Sequence, residues 1–204
     1  MLLPKWLLKK IFYLLFASLL CIDTLSAWEL DHKVKKDDSG FWGSHYYIPK
    51  ASAVVVFGMA LYEGTESRLG KTTWQSLDAG VISQLITEVA KESTGRNRPK
   101  DAQSPNEWGE GGKSFFSGHV SGMTALVTPY ILEYQDEYPW INLLWILPLH
   151  QMGGRIKAQA HWQSDVLVGA LAGFASGYWA SRRTSPLLLY FNKDSAFLGL
   201  KHNF

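Results

Sequence analysis

Between Val166 and Ala180 the chain is apolar, and within that run Gly169, Gly173 and Gly177 stand four residues apart. Glycines at this interval share one helical face and leave a groove without side chains, so a second helix can lie close against the backbone. Such a stripe is found in membranes and serves a tight soluble bundle equally well. Further helices are expected around it. From Thr72, the residues Trp74, Leu77, Val81, Leu85 and Val89 mark one face of a helix that delivers Lys91 in its last turn and stops at Gly95. Ser52–Tyr62 reads as a short buried helix, Ser117 as the N-cap of a helix running to Tyr134, and Pro139–Leu149 as another short apolar segment. The fold class expected is all-α, a helical bundle formed by residues 28–185. Residues 186–204 change character: Leu187–Phe191 is strand-like, Asn192–Ser195 turn-like and Ala196–Leu200 apolar, which predicts a short C-terminal extended or hairpin tail.

The first 27 residues stand apart from this body. Lys5, Lys9 and Lys10 give a basic start, Ile11–Ile22 an uncharged apolar run, and Thr24-Leu25-Ser26-Ala27 small residues suited to cleavage. This is the pattern of an export signal cut after Ala27, which places the mature protein outside the cytoplasm, in a bacterial periplasm. An uncleaved N-terminal anchor is the rival, but Lys9 and Lys10 interrupt the apolar stretch and leave it shorter than a bilayer span. The single cysteine, Cys21, lies inside this segment, so the mature chain has no disulfide or thiol chemistry. A formal net charge of +2 with 19% charged residues provides no global field for nucleic acid. Nine Trp, nine Tyr and ten Phe suit peripheral contact with a membrane, and core filling would use them as well.

Three polar clusters carry chemistry. The first is Lys91–Pro99, reading Lys-Glu-Ser-Thr-Gly-Arg-Asn-Arg-Pro; the second is Ser117-Gly118-His119; the third joins Arg155, His161 and Asp165. Alone, each is a basic helix end, an ordinary cap or a chance pair. Together, Lys91, Arg98 and Arg155 supply three cations, two of them guanidiniums whose forks match phosphate oxygens. Amides around Gly118 at a helix N-terminus favour an anion. His161 and Asp165, four apart, can share a helical face, with the carboxylate taking one ring N–H and leaving the other nitrogen to attack phosphorus. His119 can protonate the leaving oxygen. Two such histidines predict a bell-shaped pH profile with a mildly acidic to neutral optimum.

The spacing Lys-x6-Arg-Pro, then Ser-Gly-His, then Arg-x5-His-x3-Asp resembles the three-part signature of the type 2 phosphatidic acid phosphatases, a superfamily that also holds bacterial acid phosphatases and vanadium haloperoxidases. The resemblance covers Lys91 to Gly177. It implies a phosphohistidine on His161, orientation by Asp165, protonation by His119, and phosphate binding by Lys91, Arg98, Ser117, Gly118 and Arg155. It implies no metal and no cofactor, with vanadate or other phosphate analogues able to occupy the site. Phe116 stands where proline commonly precedes Ser-Gly-His, and Gly154 where serine commonly precedes the arginine.

The function expected is an exported phosphatase acting on a phosphorylated small molecule, a lipid phosphate or a pyrophosphate. A vanadate-dependent haloperoxidase would use the same residues but is usually a much longer chain, and an inactive envelope protein would have little reason to keep them all. Gly112-Lys113-Ser114 mimics the end of a nucleotide-binding loop, but Glu107 fills its first glycine position. His32, His45, His150 and His202 have no carboxylates at metal-ligand spacing and read as surface or packing histidines. The 94–113 loop reads as a lid or rim.

Overall fold

The computed structural model describes residues 30–183 and, for the tail, the backbone of 189–192 and 195–198. The export signal with Cys21, and His202, lie outside the described residues. In chain order the elements are α1 (Gly40–Gly43), continued by a 3-10 turn Ser44–Tyr46, then α2 (Ile48–Glu63), α3 (Arg68–Thr94), α4 (Gly118–Tyr134), a 3-10 stretch Pro139–Trp145, α5 (Ile146–Lys157) and α6 (Gln163–Ser181). β1 (Leu189–Asn192) and β2 (Ser195–Leu198) pair antiparallel, with Leu189 opposite Leu198. The body is therefore the expected helical bundle, built on the packing of α3, α4 and α6.

The glycine stripe works as its spacing suggests. A Cβ at Gly173 would lie 2.2 Å from the Ser121 carbonyl oxygen, one at Gly177 2.5 Å from Thr128 Cβ, and one at Gly169 2.8 Å from the Ser117 carbonyl oxygen. Helix α6 thus lies directly on the backbone of α4, and its N-terminal end is drawn against Ser117. Gly95 ends α3 with φ 54°, its N–H donating to the Lys91 carbonyl.

The apolar face of α3 turns largely outward, and the expected burial of α2 is corrected. Val81, Leu85 and Val89 face outward, with Leu85 64% exposed, whereas Thr73, Ser76, Ser83 and Thr87 are fully buried. Hydrogen bonds explain the inversion. Ser76 Oγ donates to the Leu126 carbonyl at 2.5 Å, Tyr130 donates its hydroxyl to Thr73 at 2.9 Å, and Thr87 shares a hydroxyl contact with Ser121 at 2.9 Å. Small polar residues that can satisfy one another allow a closer helix contact than leucines would, so α3 packs on α4 largely by its polar face. Likewise α2 is not a buried helix: Val56 and Ala60 are its buried residues, while Val54, Val55, Phe57, Leu61 and Tyr62 are exposed. Among the described residues, no helix is long and apolar enough to cross a membrane.

Gly173→Val should lower folding stability by about 1–3 kcal/mol through overpacking against α4. Gly80→Ala, whose added Cβ meets Leu126 at 3.9 Å, should be neutral or stabilising by about 0.5–1 kcal/mol. Urea melts of the two variants beside wild type test the pair.

Candidate active site

His161 sits in the turn between α5 and α6, ahead of the helix and not on it. Its Nδ1 lies 2.7 Å from the Ser114 carbonyl oxygen. A carbonyl only accepts, so Nδ1 carries the proton and Nε2 keeps its lone pair. Asp165 Oδ2 is 3.7 Å from the same nitrogen, beyond hydrogen-bond range, so the carboxylate does not take the ring proton as the spacing had suggested. Trp162 is the N-cap of α6, and Asp165, its third residue, accepts the Trp162 N–H at 2.9 Å. The four-residue spacing therefore comes from a capped helix start.

Asp165 is fully buried and heavily bonded. Ser114 Oγ donates to Oδ2 at 2.5 Å and Arg96 Nη1 to Oδ1 at 2.5 Å. Burial alone would raise its pKa, but His161, Arg96 and Ser114 outweigh that and hold the carboxyl below its usual range. Ser114, bound to Asp165 through its hydroxyl and to His161 through its carbonyl, couples the two. Burial lowers the pKa of His161; Asp165 opposes the shift, and Arg155 and Arg98 reinforce it.

Arg155 and Arg98 act on this imidazole, and Arg155 and Lys91 on His119. Arg155 is buried at the end of α5, its Nε has no hydrogen-bond partner, and burial followed by the charge of Arg98 pushes its pKa down to about 10. Ser117 occupies the N-cap of α4, but its hydroxyl makes no capping bond and is likewise buried without a partner. Each orphaned polar atom costs on the order of 1–3 kcal/mol unless something binds it. Beside them, a Cβ at Gly118 would lie 3.5 Å from Lys91 Nζ, so that cation stands against the first residue of α4. Lys91 is held at 2.6 Å by Glu88, a partner not foreseen from sequence.

His119, in the first turn of α4, has its pKa pushed down to about 4 by burial and then by Arg155, His161, His45 and Lys91. In the free site the pKa values of both histidines therefore lie below the ordinary imidazole range. The departure at Gly154 also finds its reason: a Cβ there would lie 2.6 Å from His45 Cβ, so His45 takes the space of a serine side chain. His45 and His150 are packing histidines, bonded to Trp42 and to Ser44 and Phe41 respectively. The 94–113 loop is stapled by Glu107, which accepts N–H groups from Gln103, Ser104 and Asn97. Among the described residues, no group of three or more His, Cys, Asp or Glu could hold a metal ion.

Sequence reasoning missed Arg96, Ser114 and Asp31. Arg96 lies in the first motif, two residues before Arg98, but nothing in the spacing separates a supporting arginine from a binding one.

The described bundle brings Arg155, Lys91 and the start of α4 close to His119, with His161 and Arg98 acting on the same site. Residues 73–187 match the family model described as PAP2 superfamily, and the chain belongs to that superfamily. It is similar to the lipid A 1-phosphatase of Porphyromonas gingivalis, with 31% identity over 124 residues, 59% of this chain and 26% of that protein. The chain thus spans about a quarter of the length of that curated relative. Its fold resembles the crystal structure of Aquifex aeolicus LpxE, with a TM-score of 0.54 and 20% identity over 70% of this chain and 84% of that one.

NMR of the ring carbons should place the His119 titration near pH 4 in the free protein and well below the ordinary 6.5. Added inorganic phosphate should move it upward, because the bound anion offsets Arg155 and Lys91. A midpoint at 6.5 that phosphate leaves unmoved would contradict the site described.

Proposed function

We propose that this protein is a phosphatase that removes a phosphoryl group from a lipid phosphate through a phosphohistidine on His161. The observation that carries the reading is the buried His161, whose Nδ1 contact to Ser114 leaves Nε2 with its lone pair, in a bundle where the Ser117 hydroxyl and Arg155 Nε are buried without a partner. Phosphate oxygens would be held by Lys91, Arg98, Arg155, the Ser117 hydroxyl and the Gly118 amide, whose fixed charges also meet the charge of the transition state. His161 Nε2 attacks phosphorus, the bond to the leaving oxygen breaks, and His119 gives that oxygen a proton. Anion binding offsets the cations that lower the His119 pKa and so equips it for this role. Water then attacks the phosphohistidine, His119 takes its proton, and inorganic phosphate leaves. Asp165 stays ionised throughout and steadies the imidazole as charge develops.

The lipid assignment is supported by a cleft of about 750 Å³ between α2, α3 and α4, whose lining includes Ala53, Leu77, Val81, Leu85 and Met123 together with Lys91 and His119. Apolar walls leading to a phosphate site suit an acyl chain with an anionic head. The exposed apolar residues of α2 and α3 flank the cleft and would rest on a membrane surface. The name of the Porphyromonas gingivalis relative points to the same class of substrate. Residues 1–27 are read as an export signal ahead of a catalytic body of 28–185, and an exported enzyme would meet its substrate in the bacterial envelope.

Phosphate release from a short-chain lipid phosphate in detergent, compared with p-nitrophenyl phosphate, tests the reading. His161→Ala should lose at least about 10³-fold in kcat on both. Val81→Asp with Leu85→Asp should raise KM for the lipid and leave the nitrophenyl ester unchanged. Equal release by wild type and His161→Ala would refute the mechanism, and equal effects of the cleft variant on both substrates would refute the lipid assignment.

A further inference from the structure

The extended segment 30–38 crosses the turn that carries His161. The backbone N–H of His32 donates to Gln163 Oε1 at 3.1 Å, and Gln163 Nε2 returns a bond to the His32 carbonyl at 2.9 Å. Gln159 Nε2 donates to the Val34 carbonyl at 2.7 Å, and Asp37 N donates to the Lys157 carbonyl at 3.0 Å. The segment is therefore tied to both sides of the nucleophile.

At its start, Asp31 enters the core. Arg96 Nη2 donates to Asp31 Oδ2 at 2.6 Å, while Nη1 of the same guanidinium holds Asp165 at 2.5 Å, and all three side chains are fully buried. Ser164 binds both partners, donating its N–H to Asp31 Oδ1 at 2.7 Å and its hydroxyl to Oδ2 at 2.6 Å, and accepting from Arg96 Nη1 at 2.8 Å. The remaining Arg96 donors go to the Pro105 carbonyl, and its guanidinium lies 4.4 Å from the Trp108 ring centroid. Arg96 is thus a buried cation shared between two carboxylates, one of which faces His161.

We infer that Asp31 and Arg96 are positioning residues for the nucleophile, acting through Asp165, and that the N-terminal strap takes part in the reaction by supplying Asp31. Residue 31 lies outside the 73–187 span of the superfamily match. The physical basis is charge sharing. With Asp31 ionised, Arg96 divides its charge and leaves Asp165 more negative towards the imidazole. Without it, Arg96 turns its full charge on Asp165, and the imidazolium character that develops at His161 loses support. The other charged groups facing His161 are Arg155 on α5, Arg98 in the 95–117 loop and His119 on α4, and none contacts Asp31.

The inference rests on the phosphatase reading, and Asp31→Asn tests it with two readouts. The isosteric amide keeps the packing and removes the charge. Ring NMR of the folded variant should show His161 titrating at lower pH than in wild type, and kcat should fall roughly 10-fold with KM within about twofold. A folded Asp31→Asn whose His161 titration and kcat match wild type would overturn the inference. Should that variant fail to fold, Ser164→Ala removes the hydroxyl that links Arg96 to Asp31 and keeps every charge. It should shift the His161 titration in the same direction by a smaller amount, and no shift would overturn the inference. Wild type that hydrolyses no phosphate ester would refute the phosphatase reading alone, because the NMR readout judges the coupling independently.

Discussion

Four groups meet at the carboxylate of Asp165: the guanidinium of Arg96, the hydroxyl of Ser114, the backbone N–H of Trp162 and, slightly farther off, the ring of His161. Two come from the 95–117 loop and two from the adjoining residues His161 and Trp162, so this one side chain ties that loop and the turn after α5 to the start of α6. Its ionisation is secured by Arg96, because a lone buried carboxylate would sooner take a proton. Cutting the pair would strand a buried charge at a cost of about 3–5 kcal/mol. His161 is thereby held without a direct hydrogen bond to Asp165: Asp165 fixes Ser114, and the Ser114 carbonyl fixes the tautomer of His161.

The helix packing serves the same centre. Because Gly169 admits the Ser117 backbone and Gly173 that of Ser121, α6 lies flush on α4 and brings Asp165 within reach of Ser114 and Ser117. The backbone confirms the join, with Ser117 N–H donating to the Asp165 carbonyl at 3.1 Å. The α3–α4 contact is closed by hydroxyls, which leaves the apolar residues of α3 free to line the cleft that ends at Lys91 and His119. A polar interior and an apolar exterior are therefore two sides of one arrangement.

Much of this was legible in the sequence, and the reasons differ by element. The glycine interval specified a close helix pair because only a side chain's absence permits it. The three motifs identified the superfamily because cations, a helix N-terminus and a histidine are all needed for one anion. The outward face of α3 was not legible, since a hydrophobic period reveals which residues are alike and not which partner they meet. Arg96 and Asp31 escaped for a related reason: their roles depend on a contact across 65 residues, and no local pattern encodes it. The low pKa of His119 follows from burial beside cations and could be found only once the fold had gathered them.

The central claim is that His161 Nε2 is the atom that takes the phosphoryl group. Rapid alkaline quench of the enzyme turning over a labelled substrate, followed by mapping of the phosphorylated peptide and NMR of the ring, measures it directly. The account predicts a transient phosphohistidine at His161 bonded through Nε2, absent in His161→Ala. Phosphate on Nδ1 of His161, on His119, or on no residue while product accumulates at a rate that requires an intermediate would contradict it.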